Sequence, residues 1–210
     1  MVLPVLAVHE AAEALLLCVC AALDALPEQV PTLAGCPCRT GVVPGLPAAD
    51  ACDGGCGPLA PGDWPGQLTV NTVRLFTTDA NSFPRETLTV RDRAGCAVPQ
   101  VTAAELAVTV WRCTPLPSDE GCPPPVDELT ASAMQLHADM LAVQQAVLCC
   151  FAATTEARRG RRYVMGGSTV LGPAGGCVGF TTRVLVDLGG TVGPIPAGPQ
   201  AAAQGPGKAL

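Results

Sequence analysis

The sequence predicts an α+β fold: an antiparallel sheet packed on two helices, with a Cys/Gly/Pro-rich loop and an extended C-terminal tail. Three stretches carry that prediction. From Val126 to Phe151, Leu129, Ala133, Leu136, Met140, Val143, Val147 and Cys150 recur at steps of four and three, so they line one face of a helix. From Cys177 to Leu188 the period drops to two: Val178, Phe180, Thr182, Val184, Val186 and Leu188 face one way. Cys177, Gly179, Thr181, Arg183 and Asp187 face the other. From Leu6 to Ala25, Ala12, Leu15, Leu16, Val19 and Leu23 form a second helical stripe.

In chain order, the first helix has His9, Glu10, Glu13 and Asp24 as its polar positions and is expected to stop at Pro27. Residues 31–66 hold many Gly and Pro and read as a long Cys-rich loop. A strand is expected over Gln67–Phe76, with a slip of phase near Thr72-Val73 that suggests a bulge. A short strand follows at Thr87–Arg91. A better one runs Glu105–Cys113, with Leu106, Val108 and Val110 opposite Thr109 and Trp111. Pro123, Pro124 and Pro125 place the start of the long helix just after them, and Asp127 and Glu128 suit its positive end. Met134, Leu141 and Leu148 are expected to widen its buried stripe. Arg158, Arg159, Arg161 and Arg162 around Gly160 mark its end, and Gly166-Gly167 and residues 172–176 read as a glycine-rich turn before the last strand. Residues 1–188 thus form one domain, and 189–210 a flexible Gly/Pro-rich arm without the means to build a core.

Composition excludes several functions. A formal net charge of -6 argues against wrapping nucleic acid through a general basic surface. The apolar stretch Ala14–Leu23 is far too short for a bilayer, and the absence of Lys or Arg before Arg39 argues against an export signal. The expectation is a protein made in the cytoplasm, with no membrane segment. A hydrophobic share of 49% supports a sizeable core, although only 3% is aromatic.

Twelve cysteines stand out. Cys36, Cys38, Cys52 and Cys56 form C-x-C and C-x3-C pairs that could supply a zinc ion with four soft ligands, yet neither has the usual C-x2-C spacing, so disulfides or plain reduced thiols are the favoured readings. Cys18, Cys20, Cys149 and Cys150 read as small apolar fillers on helices. His9 and His137 are the only histidines, and neither has a nucleophile or acid at a readable spacing, so no enzyme activity and no cofactor are expected. Residues 166–179 lack the Gly-Lys-Ser/Thr ending of a phosphate loop and precede a strand instead of a helix. The arginine cluster fits either a solvated helix end or a patch for an acidic partner.

The runs "VTVWRCTPLP", "PPPVDELT", "ASAMQLHADMLAVQQAVLCC" and "GGSTVLGPAGGCVGFTTRVLVDL" resemble the tail terminator (tail completion) proteins of long-tailed phages that infect actinobacteria. The resemblance spans residues 67–188, and the bias to Arg, Ala, Gly, Pro and Val fits a GC-rich genome. It implies a structural neck protein of the virion that assembles as a ring, commonly a hexamer, on the tail tube. Such a ring ends tube polymerisation and meets a head–tail stopper or other connector protein, while DNA passes through its lumen. A stopper or other connector ring is the alternative within the same setting, and a small zinc-binding interaction module the alternative outside it. The family has no catalytic residues to carry over. Arg158, Arg159, Arg161, Arg162, Thr181, Arg183 and Asp187 are the expected interface residues.

Overall fold

A computed structural model describes residues 4–49, 64–78, 81–87, 101–118, 120–154, 161–174 and 176–188. The chain runs α1 (Pro4–Asp24), a one-turn α2 (Leu26–Gln29), β1 (Pro37–Val43), β2 (Trp64–Thr78), β3 (Val101–Cys113), α3 (Val126–Gln145), β4 (Tyr163–Ala174) and β5 (Cys177–Asp187). A π-helical turn, Ala146–Cys150, and a 3-10 turn, Phe151–Ala153, extend α3. The five strands form one sheet in the order β1-β2-β3-β5-β4. α1 and α3 lie on the same face of it, so the α+β architecture of a sheet packed on two helices holds.

Several sequence expectations are refined. The sheet is mixed: β1 pairs parallel to β2, and the other pairings are antiparallel. β1 arises inside the segment read as a loop, where Pro37–Val43 carries too little alternation to announce a strand. Gly166-Gly167 and Gly172 to Ala174, read as parts of a glycine-rich turn, belong to β4, an edge strand that pairs with β5 through two register shifts, between Met165 and Ser168 and between Leu171 and Ala174. Irregularities of this kind are where glycine survives in a strand. The slip foreseen at Thr72-Val73 is a register shift between Thr72 and Arg74. Pro27 does not end the first helix outright; it sits in the first turn of α2, where its missing N–H costs nothing. Of the strand expected at Thr87–Arg91, only Thr87 is described: its N–H donates to the Thr77 carbonyl at 2.8 Å. The arm at 189–210 lies outside the described residues.

The core forms where the two periods meet. Leu68 and Val70 of β2, Leu106, Val108 and Val110 of β3, and Phe180, Val184 and Val186 of β5 meet Leu15, Val19 and Leu23 of α1 and Leu136, Val143, Val147 and Phe151 around α3. Val184 is fully buried, whereas Arg183 is exposed. The stripe of α3 is narrower than its sequence suggests: Leu129, Met134, Leu141 and Leu148 are exposed, and the small Ala142 and Ala146 take their place in the core. α1 lies alongside α3, so only a narrow strip of each helix reaches the sheet.

Trp111 explains two of the glycines. Its indole lies across β5 at its register partner Gly179, where a Cβ would collide with the ring and with the Val110 carbonyl. Gly66, at φ 125°, would likewise drive a Cβ into the Trp111 carbonyl.

The β5 register gives a paired test. Val184→Asp places an unpaired carboxylate in the apolar core and is expected to cost several kcal/mol, enough to unfold a domain of ordinary stability of about 5–15 kcal/mol. Arg183→Glu, on the wet face, is expected to change stability by no more than about 1 kcal/mol. Circular dichroism melts of both variants check this; the reverse ranking means the two faces are exchanged.

Candidate functional site

Two constructions stand out: a buried ionic knot under α3 and a cysteine-bearing edge along α1. The knot begins at Arg112, the one charged residue on the helix-facing side of β3. Its Nε donates to Asp139 Oδ2 at 2.7 Å and its Nη2 to Asp139 Oδ1 at 3.0 Å. Nη2 also donates to the Gly35 carbonyl at 2.7 Å. Gln135, one turn before Asp139, donates through Nε2 to Asp139 Oδ1 at 2.7 Å and accepts the Ala34 N–H through Oε1, also at 2.7 Å. Both charges are almost wholly removed from water. Burial pushes the Asp139 carboxyl upward, and the Arg112 hydrogen bonds pull it back. Sequence reading missed this site, because Asp139 and Gln135 sit at polar steps of a helix and Arg112 looks like the wet end of a strand. The available signal was Arg112 itself, at the phase of Val108 and Val110.

The second construction runs along α1. Cys18 is bonded to Cys150, and Cys20 to Cys36. This corrects the reading of Cys18, Cys20 and Cys150 as packing fillers. It also removes Cys36 from the proposed zinc set, and Cys38 is disulfide-bonded as well. Cys52 and Cys56 lie outside the described residues. Cys149, next to the first bridge, is an exposed free thiol. It lines a groove of about 490 Å³ between α1–α2 and α3, together with Ala21, Ala25, Ala138 and Leu141. Leu141, which lines this groove, is 65% exposed, and Leu17 of α1 and Leu148 just past α3 are 69% and 55% exposed.

The expected interface residues divide. Arg161 stacks on the Phe151 ring at 5.2 Å, and burial lowers its pKa while nearby Glu10 raises it. Arg162 lies over Phe83 at 5.2 Å and contacts Asp187 at 3.2 Å. Arg158 and Arg159 lie outside the described residues. Thr181 Oγ1 is 3.4 Å from Thr109 Oγ1. Arg183 donates to Glu105 Oε1 at 2.7 Å; Arg74 binds the other oxygen at 2.7 Å and reaches Glu86 at 2.9 Å. The sheet face away from the helices therefore carries a lattice of ion pairs. The histidines stand apart: His9 is paired with Glu13 at 3.2 Å on the exposed side of α1, and His137 is exposed on α3.

No protein-family model matches this chain, and no curated protein matches it in sequence.

The two ionic sites make separable predictions. Arg112→Met leaves Asp139 buried without its counter-charge and is expected to cost about 3–5 kcal/mol, whereas Arg112→Met combined with Asp139→Leu recovers most of that loss. Urea unfolding of the single and double variants measures the difference.

Glu105 gives a pH signature. The hydrogen bond from Arg74, aided by Arg183, holds its carboxyl below the usual range. The unfolded chain therefore takes up this proton first as the pH falls. The stabilisation is complete above the ordinary glutamate range and is lost as the pH drops through the lowered folded value. Asp139 has the opposite sign, since its raised value makes deprotonation in the folded state a cost that grows with pH. Glu105→Gln is expected to lower the melting temperature in the neutral region, where the stabilisation is complete, and to flatten the acid limb of a plot against pH, so that variant and parent converge at low pH.

Proposed function

We propose that this chain is a structural ring protein of a phage neck: a tail terminator that caps the tail tube and joins it to the head-side connector. The observation that carries the proposal is the outer side of the helix layer. Leu17, Met134, Leu141 and Leu148 are exposed on α1 and along α3, and Leu141 borders the alanine-lined groove between the helices. Soluble monomers rarely leave such a surface open, and a neighbouring copy of the same chain would cover it. The resemblance over residues 67–188 supports the same reading.

In this proposal the sheet's ion-paired face, with Arg74, Glu105 and Arg183, is the polar side of the subunit, turned to the lumen or to a seam between subunits. Arg162 and Asp187, at the end of β5, extend that side. An overall acidic subunit suits a channel through which DNA slides, because few cations are offered to displace the counterions of its phosphates. The work of such a protein is geometric, with no substrate turned over and no cofactor used. Its place is the virion neck, after synthesis in the host cytoplasm.

Native mass spectrometry of the full chain is expected to give a closed ring, with six subunits the expected number. Capping of purified tail tubes separates a terminator from a stopper, which would bind the head side instead. Leu17→Asp combined with Leu141→Asp is expected to shift the ring to monomers with an unchanged circular dichroism spectrum. A wild-type chain that stays monomeric at all concentrations overturns the reading.

A further inference from the structure

The geometry points to a redox-gated metal site at Cys20, Asp24 and Cys36, closed as a disulfide when oxidised and able to hold one zinc-class ion when reduced. This inference stands apart from the neck reading. Cys20 and Asp24 are four residues apart on α1 and so share a helix face. Cys36 enters from the segment leading into β1. The two sulfurs and a carboxylate oxygen lie within 4.8 Å of one another. Two thiolates and a carboxylate are a borderline-soft donor set of the kind zinc accepts, and water would complete the tetrahedron.

The decisive point is that hydrogen bonds, and not the disulfide alone, hold Cys36 in place. Asp24 Oδ1 accepts the Cys36 N–H at 2.8 Å. Arg112 anchors the Gly35 carbonyl at 2.7 Å, and Gln135 Oε1 accepts the Ala34 N–H at 2.7 Å. Three consecutive residues are therefore fixed to α1, β3 and α3 by contacts that survive reduction. Gly35 allows this approach: a Cβ there would stand 2.9 Å from Asp24 Oδ1 and 2.8 Å from Trp64 Nε1. When the bridge opens, the two thiols remain opposite each other beside the carboxylate. Asp24 is exposed and both cysteines are partly so, which leaves the ion a path in.

The chemistry balances with a thiol reductant. Two reductant thiols deliver two electrons and two protons to the Cys20–Cys36 bond, giving two protein thiols and one reductant disulfide. A divalent ion then binds both thiolates and releases the two thiol protons. This site differs from the Cys36, Cys38, Cys52, Cys56 set, since it draws on α1 and uses a carboxylate.

The test titrates Co(II), and then Zn(II) in competition, into the full chain reduced with a phosphine under nitrogen, with circular dichroism recorded alongside. The expected result is one tetrahedral cobalt site, seen as visible d–d bands with thiolate charge transfer and displaced by zinc. The oxidised chain gives no such spectrum. Cys20→Ser and Cys36→Ser each abolish the charge-transfer pattern. Asp24→Asn weakens binding by at least the roughly 10–100-fold that follows loss of a ligand's supporting partner. Cys52→Ser combined with Cys56→Ser leaves the spectrum intact. The inference is overturned if the reduced chain takes up no metal, if uptake survives Cys20→Ser with Cys36→Ser, or if it disappears in the Cys52/Cys56 variant.

Discussion

The Arg112–Asp139 pair is the constraint on which the rest of the structure depends. It lies where three parts of the chain converge: the end of β3, the middle of α3, and the segment at Ala34-Gly35 that leads into β1. Removing both charges from water costs several kcal/mol per ion before any attraction is counted, so the pair is not there for cheap stability. What it supplies is uniqueness. The guanidinium reaches two carboxylate oxygens and a backbone carbonyl together only in one register of β3 and one rotation of α3. Sliding or turning either element would strand a buried charge, whereas the surrounding Val, Leu and Ala would tolerate such a shift with little penalty.

That anchoring gives the disulfides a different meaning. Cys18–Cys150 closes 132 residues and ties α1 to the far end of the second helix. In chain-entropy terms, a loop of this size removes roughly 5 kcal/mol of freedom from the unfolded state. The Cys20–Cys36 loop is far shorter, at 16 residues, and its closure is already favoured by hydrogen bonds from Asp24, Gln135 and Arg112. The longer bridge therefore does more to hold the helix pair together, and the shorter one can open without releasing its segment. Bridges of either kind persist in oxidising surroundings and reopen in a reducing cytoplasm.

How much was legible in the sequence follows from which residues carry a period. On β5 and β3 the core face is as the sequence implies, with Val184 and Val108 inside and Arg183 outside, but the face read as wet is itself buried at Thr109, Trp111, Cys177 and Gly179. β4 was missed because its Gly166-Gly167 and Gly172-Pro173 carry no alternation, and only pairing with β5 makes it a strand. β1 was missed because Pro37, Gly41 and the cysteines mask seven residues that lean on β2. The helices were found, but the width of their buried stripe was not. Period alone cannot say whether Leu141 faces a sheet, a sister helix or another subunit. The Arg112–Asp139 pair and the bridges join residues 16 to 132 positions apart, and no local pattern reports such distances.

The two faces of the sheet show how register and surface are set by the same residues. On β2, Leu68 and Val70 enter the core while Gln67, Thr69 and Asn71 take the other side, opposite Trp111, Thr109 and Ala107 of β3. A slip of one residue would exchange the sets and drive Gln67, Thr69 and Asn71 beneath α1. Gln67, Thr69 and Asn71 are already almost fully buried, each with a side-chain oxygen that has no hydrogen-bond partner among the described residues, so a slip is disfavoured chiefly by taking Leu68 and Val70 out of the core. Further along the same face the polar residues become charged, and Arg74, Glu105 and Arg183 bridge β2, β3 and β5 with ion pairs at 2.7 Å. Among the described residues the exposed side of the helix layer carries one ion pair, His9–Glu13, beside exposed Leu17, Leu141 and Leu148. The charged groups of the sheet side are paired with one another, while the helix side leaves apolar side chains exposed. That asymmetry is the physical basis on which the helix side, more than the sheet side, is proposed to contact another chain.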